Sequence, residues 1–237
     1  MHRSRMSIAA AAGSLSVLLA VSACSNGPDA SRATDRAASV AVIAGTTSHD
    51  MTHMSTLPRT RSQAALYLRM RELWAQHMEW TYAAVAAFAQ DSRALDATIA
   101  RLLRNQVDIG NAVKPFYGAK AGDQLTALLQ THIKDAVPVL VAAKSGDTAG
   151  FDKAERAWYA NAKQIGDFLA AANPNWHKRV MEQMMRTHIT QTTTYAADQL
   201  QGRYATSIRD YDTAETHMMT MADLLSAGLV KQFPDRF

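Results

Sequence analysis

Asn105 stands 27 residues before His132, and Asn161 stands 27 residues before His188. The stretches that hold them are alike: LLRNQVDIGNAVKPFYG begins at Leu102, WYANAKQIGDFLAAANPNW begins at Trp158, and Asp108-Ile109-Gly110-Asn111 answers to Gln164-Ile165-Gly166-Asp167. The count continues outward, with His77 28 residues before Asn105, Asn161 29 after His132 and His217 29 after His188. This is an internal repeat of asparagine and histidine.

The segments between these residues read as helix. Eleven glycines and six prolines are few for 237 residues, and the body of the chain is rich in Ala, Leu, Gln and Arg. From Arg61, the residues Leu66, Met70, Leu73, His77, Ala84 and Phe88 fall on one helical face, up to an end at Gln90 to Ser92. A second helix from Leu95 to Val113 is stopped by Pro115 and a Tyr117-Gly118 turn. A third, Asp123 to Lys144, carries Pro138, which should kink it. Asp147 or Thr148 caps a fourth that runs to Ala172 before Asn173-Pro174. A fifth spans Asn175 to Leu200, and a sixth runs from Arg203 or Thr206 to Leu229. No stretch alternates as a half-buried strand must. The expected fold is all-α: an antiparallel up-and-down bundle of about six helices, residues 62–237, with an internal helix-pair repeat.

In an antiparallel pair, residues equally far from the turn lie at one height. The midpoints of successive spacings fall at Asp91, Gly118-Ala119, Gly146-Asp147, Pro174-Asn175 and Gly202-Arg203, each a predicted turn. His77, Asn105, His132, Asn161, His188 and His217 should then form a polar layer across the bundle. Helical neighbours of His132 (Leu125, Leu128, Ala136, Val139) and of His188 (Met181, Met184, Thr192, Tyr195) point these rings inward. The same test turns His77, Asn161 and His217 inward and leaves Asn105 undecided.

The chain opens with a basic start, His2, Arg3 and Arg5, and an apolar run from Ser14 to Val21, too short for a permanent span. Val21-Ser22-Ala23-Cys24 then resembles a lipobox, which implies a lipoprotein signal over residues 1–23, a lipid on Cys24 and a place in the cell envelope. Residues 24–61, Ser-, Thr-, Ala-, Asp- and Gly-rich without helical period, read as a flexible tether. Within it His49, Met51, His53 and Met54 are donors suited to copper. Removing Arg3 and Arg5 lowers the formal charge from +4 to +2, spread without a stripe, so nucleic acid is not an expected partner. With Cys24 the single cysteine, there is neither an internal disulfide nor a thiolate cluster.

Unpaired buried polar groups cost on the order of 1 to 3 kcal/mol each, so the layer must be paired, hydrated or occupied. Three readings are open. A structural network would join the histidines and asparagines to Asp108, Asp135, Gln164 and Gln191, each three residues on. A metal site would use His77, His132, His188 and His217 for copper or zinc, with Asp108 or Asp135 orienting the rings. A haem would take histidine and one of Met184, Met185, Met218 or Met219. No Glu-x-x-His occurs, which excludes a di-iron carboxylate bundle, and no P-loop, Rossmann glycine pattern or nucleophile elbow is present. The expected function is therefore a lipid-anchored, non-enzymatic envelope bundle that binds a metal, or an interaction or scaffold module whose layer is structural.

Four motifs carry a resemblance: LWAQHMEWT from Leu73, NQVDIGNAVKPFYG from Asn105, FLAAANPNW from Phe168 and MADLLSAGLVKQFPDRF from Met221. Over Arg69 to Phe237 the chain resembles a functionally uncharacterised family of bacterial helical proteins. Acetylglutamate kinase and glycosyltransferase are labels attached to similar sequences, but both activities need a phosphate-cradling loop that this chain lacks.

Overall fold

The computed structural model describes residues 57–237. They form α1 Arg61–Ala89, α2 Leu95–Ser145, α3 Thr148–Ala172, α4 Lys178–Leu200 and α5 Tyr204–Gln232, followed by a 3-10 turn, Pro234–Arg236. No described residue is in a strand, and no described helix is long and apolar enough to cross a membrane. The signal segment, Cys24 and the tether ligands His49, Met51, His53 and Met54 lie outside the described residues.

Where six helices are expected there are five, because α2 takes up two of the expected segments. Gly118 (φ 82°, ψ 169°) is the one residue of α2 whose angles leave the helical region, so the break falls there and not at Pro115 or Pro138. That conformation is open to glycine alone at low cost. On either side of it the two arms of α2 fold back on each other. A Cβ built on Gly110 would stand 2.6 Å from the Gly122 carbonyl, and one on Gly122 would stand 2.6 Å from the Gly110 carbonyl. Lys114 Nζ meets Asp123 Oδ1 at 2.6 Å across the same bend.

The helix ends follow local chemistry. Thr60 Oγ1 accepts from the Gln63 amide at 3.1 Å, and Gln63 Oε1 accepts in return from the Arg59 amide at 2.7 Å. Gly146 (φ 72°, ψ 18°) closes α2 in the left-handed region, and Asp147 Oδ1 opens α3 by accepting from the Gly150 amide at 2.9 Å. Lys144 Nζ donates to the Phe88 carbonyl at 3.1 Å and pairs with Asp91 at 2.6 Å, which satisfies the frayed end of α1.

Each helix packs on the next, α1 also packs on α5, and α4 touches α1 and α2, so the bundle closes on itself with α4 reaching inward. Across the α1–α5 seam Arg71 meets Asp223 and Tyr82 meets Ser207, so numbers rise on one helix as they fall on the other. Leu73, Ile109, Ile165, Ile189, Met218, Met221 and Leu229 are almost wholly buried in one cluster. Burying each of these side chains stabilises the fold by about 1.5 to 3 kcal/mol.

Three of the four motifs behind the resemblance meet at one end of the bundle. Tyr117 donates its hydroxyl proton to Gln232 Oε1 at 2.6 Å and accepts from Asn173 Nδ2 at 3.0 Å, while Gln232 Nε2 donates to the Ala172 carbonyl at 3.2 Å. Around them pack Phe116, Trp176, Phe233 and Phe237, and Arg236 Nη1 reaches the Pro115 carbonyl at 2.8 Å. These contacts clasp together the Gly118 bend, the α3–α4 connection and the C-terminal turn.

Candidate functional site

One contact recurs three times at mid-height. Asn105 Nδ2 donates to the Leu73 carbonyl at 3.0 Å, Asn161 Nδ2 to the Leu128 carbonyl at 3.2 Å, and His217 Nε2 to the Met184 carbonyl at 3.0 Å. Each carbonyl belongs to the residue four before a histidine: His77, His132 and His188. These three histidines are fully enclosed, as are Asn105 and Asn161, whereas His217 is half-buried. The three rings gather, with His188 in the middle: its centroid is 5.4 Å from that of His77 and 5.7 Å from that of His132. Trp74 presents an edge to His77 at 5.7 Å, and Trp158 tilts against His132 at 5.3 Å.

The carbonyl anchors orient the two asparagine amides. A carbonyl only accepts, so Leu73 holds the Asn105 amide nitrogen and leaves Asn105 Oδ1 to accept from Gln106 Nε2 at 3.2 Å. Gln106 Nε2 also donates to the Leu102 carbonyl at 2.9 Å, so it is that amide nitrogen which faces His77 Nδ1 at 3.3 Å. That nitrogen has two hydrogens for three acceptors, Asn105 Oδ1, the Leu102 carbonyl and His77 Nδ1. His77 Nε2 and His188 Nε2 stand 3.4 Å apart, with room for one proton between them. On the other side Leu128 orients Asn161, whose Oδ1 accepts from His132 Nδ1 at 3.0 Å, leaving His132 Nε2 bare. His188 Nδ1 and His132 Nε2 have no protein partner.

Burial keeps all three rings neutral. Desolvation with the nearby His132 presses His77 down to about 3, and desolvation, partly offset by the bond to Asn161, takes His132 to about 4. His188, enclosed and flanked by His77, His132 and His217, lies well below the ordinary imidazole range.

Beside the rings lies an apolar cavity of about 200 Å³, lined by His77, His132 and His188 together with Val85, Leu102, Val139 and Trp158. It runs from the layer toward the end of the bundle that holds the α1–α2, α2–α3 and α4–α5 connections, since Phe88, Leu95, Phe151 and Leu200 also line it. Half-buried Leu95, Ile99 and Leu140 and exposed Val137 bring it to the surface. No Lys, Arg, Asp, Glu or Met lines it.

Several expected partners stand elsewhere. Asp108 pairs with Arg104 at 3.3 Å on the outer face, Asp135 is half-buried with its carboxyl pushed up by desolvation, and Gln164 is exposed. Met185 and Met218 are core, with Met184 and Met219 packed against it. Among the described residues no group of three His, Cys, Asp or Glu stands in metal-holding geometry. Gln106, wholly buried, is the member that sequence reasoning missed. Its signal was the layer's own spacing, 29 residues after His77.

Compared with protein-family models, with curated proteins and with solved structures, the chain finds no match.

Proposed function

We propose that this protein is a ligand-binding module of the cell envelope and not an enzyme: a six-helix antiparallel bundle, counting the arms of α2 separately, built of three helical hairpins and tied to a membrane by a lipid on Cys24. Its ligand is a small molecule held where the apolar cavity meets the three imidazoles. One observation carries this reading: an apolar cavity of about 200 Å³, lined by the three enclosed histidines, reaches the surface at exposed Val137. The hairpin repeat is supported by the thrice-made bond to a carbonyl four residues before a histidine.

The expected result is that toluene, a small apolar probe, raises the melting temperature of the full chain by several degrees, because it binds the folded state alone. Ala136→Phe, which fills the cavity from a lining position, should abolish the rise while keeping the helical circular dichroism. No stabilisation by toluene or benzene would sink the reading.

A metal is the second reading, favoured by His77 Nε2 and His188 Nε2 at 3.4 Å. Two ligands on one tetrahedral ion at about 2.0 to 2.1 Å stand about 3.3 to 3.4 Å apart. Copper or zinc suits neutral imidazole. Titration of the full chain should then show one tight equivalent of copper(I) or zinc that His188→Ala removes. Metal retained by that variant would assign it to His49, Met51, His53 and Met54 instead.

A further inference from the structure

The cavity beside the histidines is long for its volume. Its lining runs on α1 from His77 to Phe88, on the second arm of α2 from His132 to Ala143, and on α4 from His188 to Leu200. Both ends of this run are tied across helices. The rings of His77, His132 and His188 gather at one, and Lys144 Nζ holds the Phe88 carbonyl at 3.1 Å at the other. The eleven steps from His77 to Phe88 rise about 16 Å, and a van der Waals contact of about 3.5 Å at each end leaves on the order of 10 Å clear. A volume of about 200 Å³ over that length has a section on the order of 20 Å², close to the square of the roughly 4 Å spacing of packed carbons. It is a bore one carbon chain wide. Burial falls along it: at the rings His77, Leu102, His132, Trp158 and His188 are buried, while at the far end Phe88, Leu95, Phe151 and Leu200 are half-buried and Ala143 is exposed. The bore is therefore closed at the histidines and opens away from them. No Lys, Arg, Asp or Glu lines it, so nothing inside offsets the desolvation of a charge.

We propose that the ligand is a single unbranched alkyl chain of about eight carbons, borne by a medium-chain alcohol or fatty acid, with its tail toward the histidines and its head in water at the open end. This deepens the ligand-binding reading above and rests on it. Volume and length agree on the size of the chain. About 150 Å³ of apolar space holds the six carbons of benzene, so about 200 Å³ holds about eight. An extended chain advances about 1.25 Å per carbon, from a bond of about 1.52 Å at a tetrahedral angle, so a clear length on the order of 10 Å also holds about eight.

Melting-temperature shifts of the full chain, converted to affinities, test it with 1-butanol, 1-hexanol, 1-octanol, 1-decanol, cyclooctanol and octanoate, with Ala136→Phe as the blank. Affinity should rise about fourfold per methylene up to 1-octanol, the ordinary gain for burying one, and level off at 1-decanol. Cyclooctanol, the same carbons closed into a ring too wide for the bore, should bind about tenfold more weakly than 1-octanol. Octanoate should match 1-octanol, because its carboxylate stays in water. In Ala84→Leu, whose added carbons occupy part of the bore, the levelling should move down to about five carbons while 1-butanol binds as before, which also shows that the variant is folded. If affinity for the natural chain climbs past 1-octanol at the same rate, if cyclooctanol matches 1-octanol, or if octanoate fails to bind, the chain assignment is overturned and the cavity reading, which toluene tests, stands. If neither these probes nor toluene binds, both are overturned.

Discussion

Acidification should unfold this protein well before its surface carboxylates are neutralised, with a steep loss of helical signal between about pH 6 and 4. An unfolded imidazole takes up a proton near pH 6.5. In the folded bundle His77 waits until about 3 and His132 until about 4, and His188 is also far below its ordinary value, each because burial penalises the charged ring. Below pH 6.5 the unfolded chain therefore binds protons that the folded chain refuses. The stability these rings carry is whole above that pH and is lost as pH falls toward the folded values. Each histidine costs about 1.4 kcal/mol per pH unit inside its window, so three together drain about 4 kcal/mol per unit. A domain of ordinary stability holds about 5 to 15 kcal/mol, of which two units consume about 8. Half-buried Asp135 works in the opposite sense, since its raised carboxyl takes a proton earlier when folded, but one partly exposed group offsets little. Circular dichroism at 222 nm against pH checks the midpoint, and His132→Leu should move it downward by removing one of the three. A bundle that stays folded at pH 3 would show that the rings are not enclosed as described.

The same three histidines show how far the sequence could be read. Spacing alone brought His77, His132 and His188 to one height, because a helical hairpin converts equal distance from a turn into equal height, and Gly146-Asp147 and Asn173-Pro174 marked turns by their own chemistry. It did not give the orientations of the buried amides. Those depend on which carbonyl faces which amide, and Leu73 and Leu128 carry no signal for that. Asp108 looked like a partner because it sits one turn beyond Asn105, yet on a helix that offset also faces Arg104, and water with a guanidinium beats a desolvated contact with imidazole. The cavity was hidden for a different reason. It exists where small residues, Ala84, Ala136, Ala143, Ala196 and Ala197, coincide from different helices, and no single helical face shows that. The motifs KPFYG, ANPNW and KQFPDRF stood out as signatures, and their physical content is the aromatic clasp far from the rings.

Gly110→Ala should cost about 3 kcal/mol, near the top of the range for forcing atoms into a packed seam. The repeat placed a glycine five residues after each asparagine, Gly110 and Gly166, and the structure gives the reason. A Cβ on Gly110 would fall 1.9 Å from Thr126 Oγ1 and 2.6 Å from the Gly122 carbonyl. The hydroxyl can swing away, at the loss of its 3.0 Å bond to the Gly122 carbonyl, but the carbonyl is backbone and cannot. The arms of α2 must then separate, and with them Ile109 and Leu125, both in the core cluster. Gly166→Ala meets the Glu182 amide nitrogen at 2.9 Å and its Cα at 3.0 Å, so it should cost less but in the same direction. Urea unfolding of the single variants and of Gly110→Ala with Thr126→Ala separates the causes. Removing the hydroxyl should recover only a minor part of the loss, because the carbonyl remains in the way. Full recovery in the double variant, or a loss below about 0.5 kcal/mol in Gly110→Ala alone, the scale of an ordinary surface change, would mean that the two arms do not touch backbone to backbone at Gly110 and Gly122.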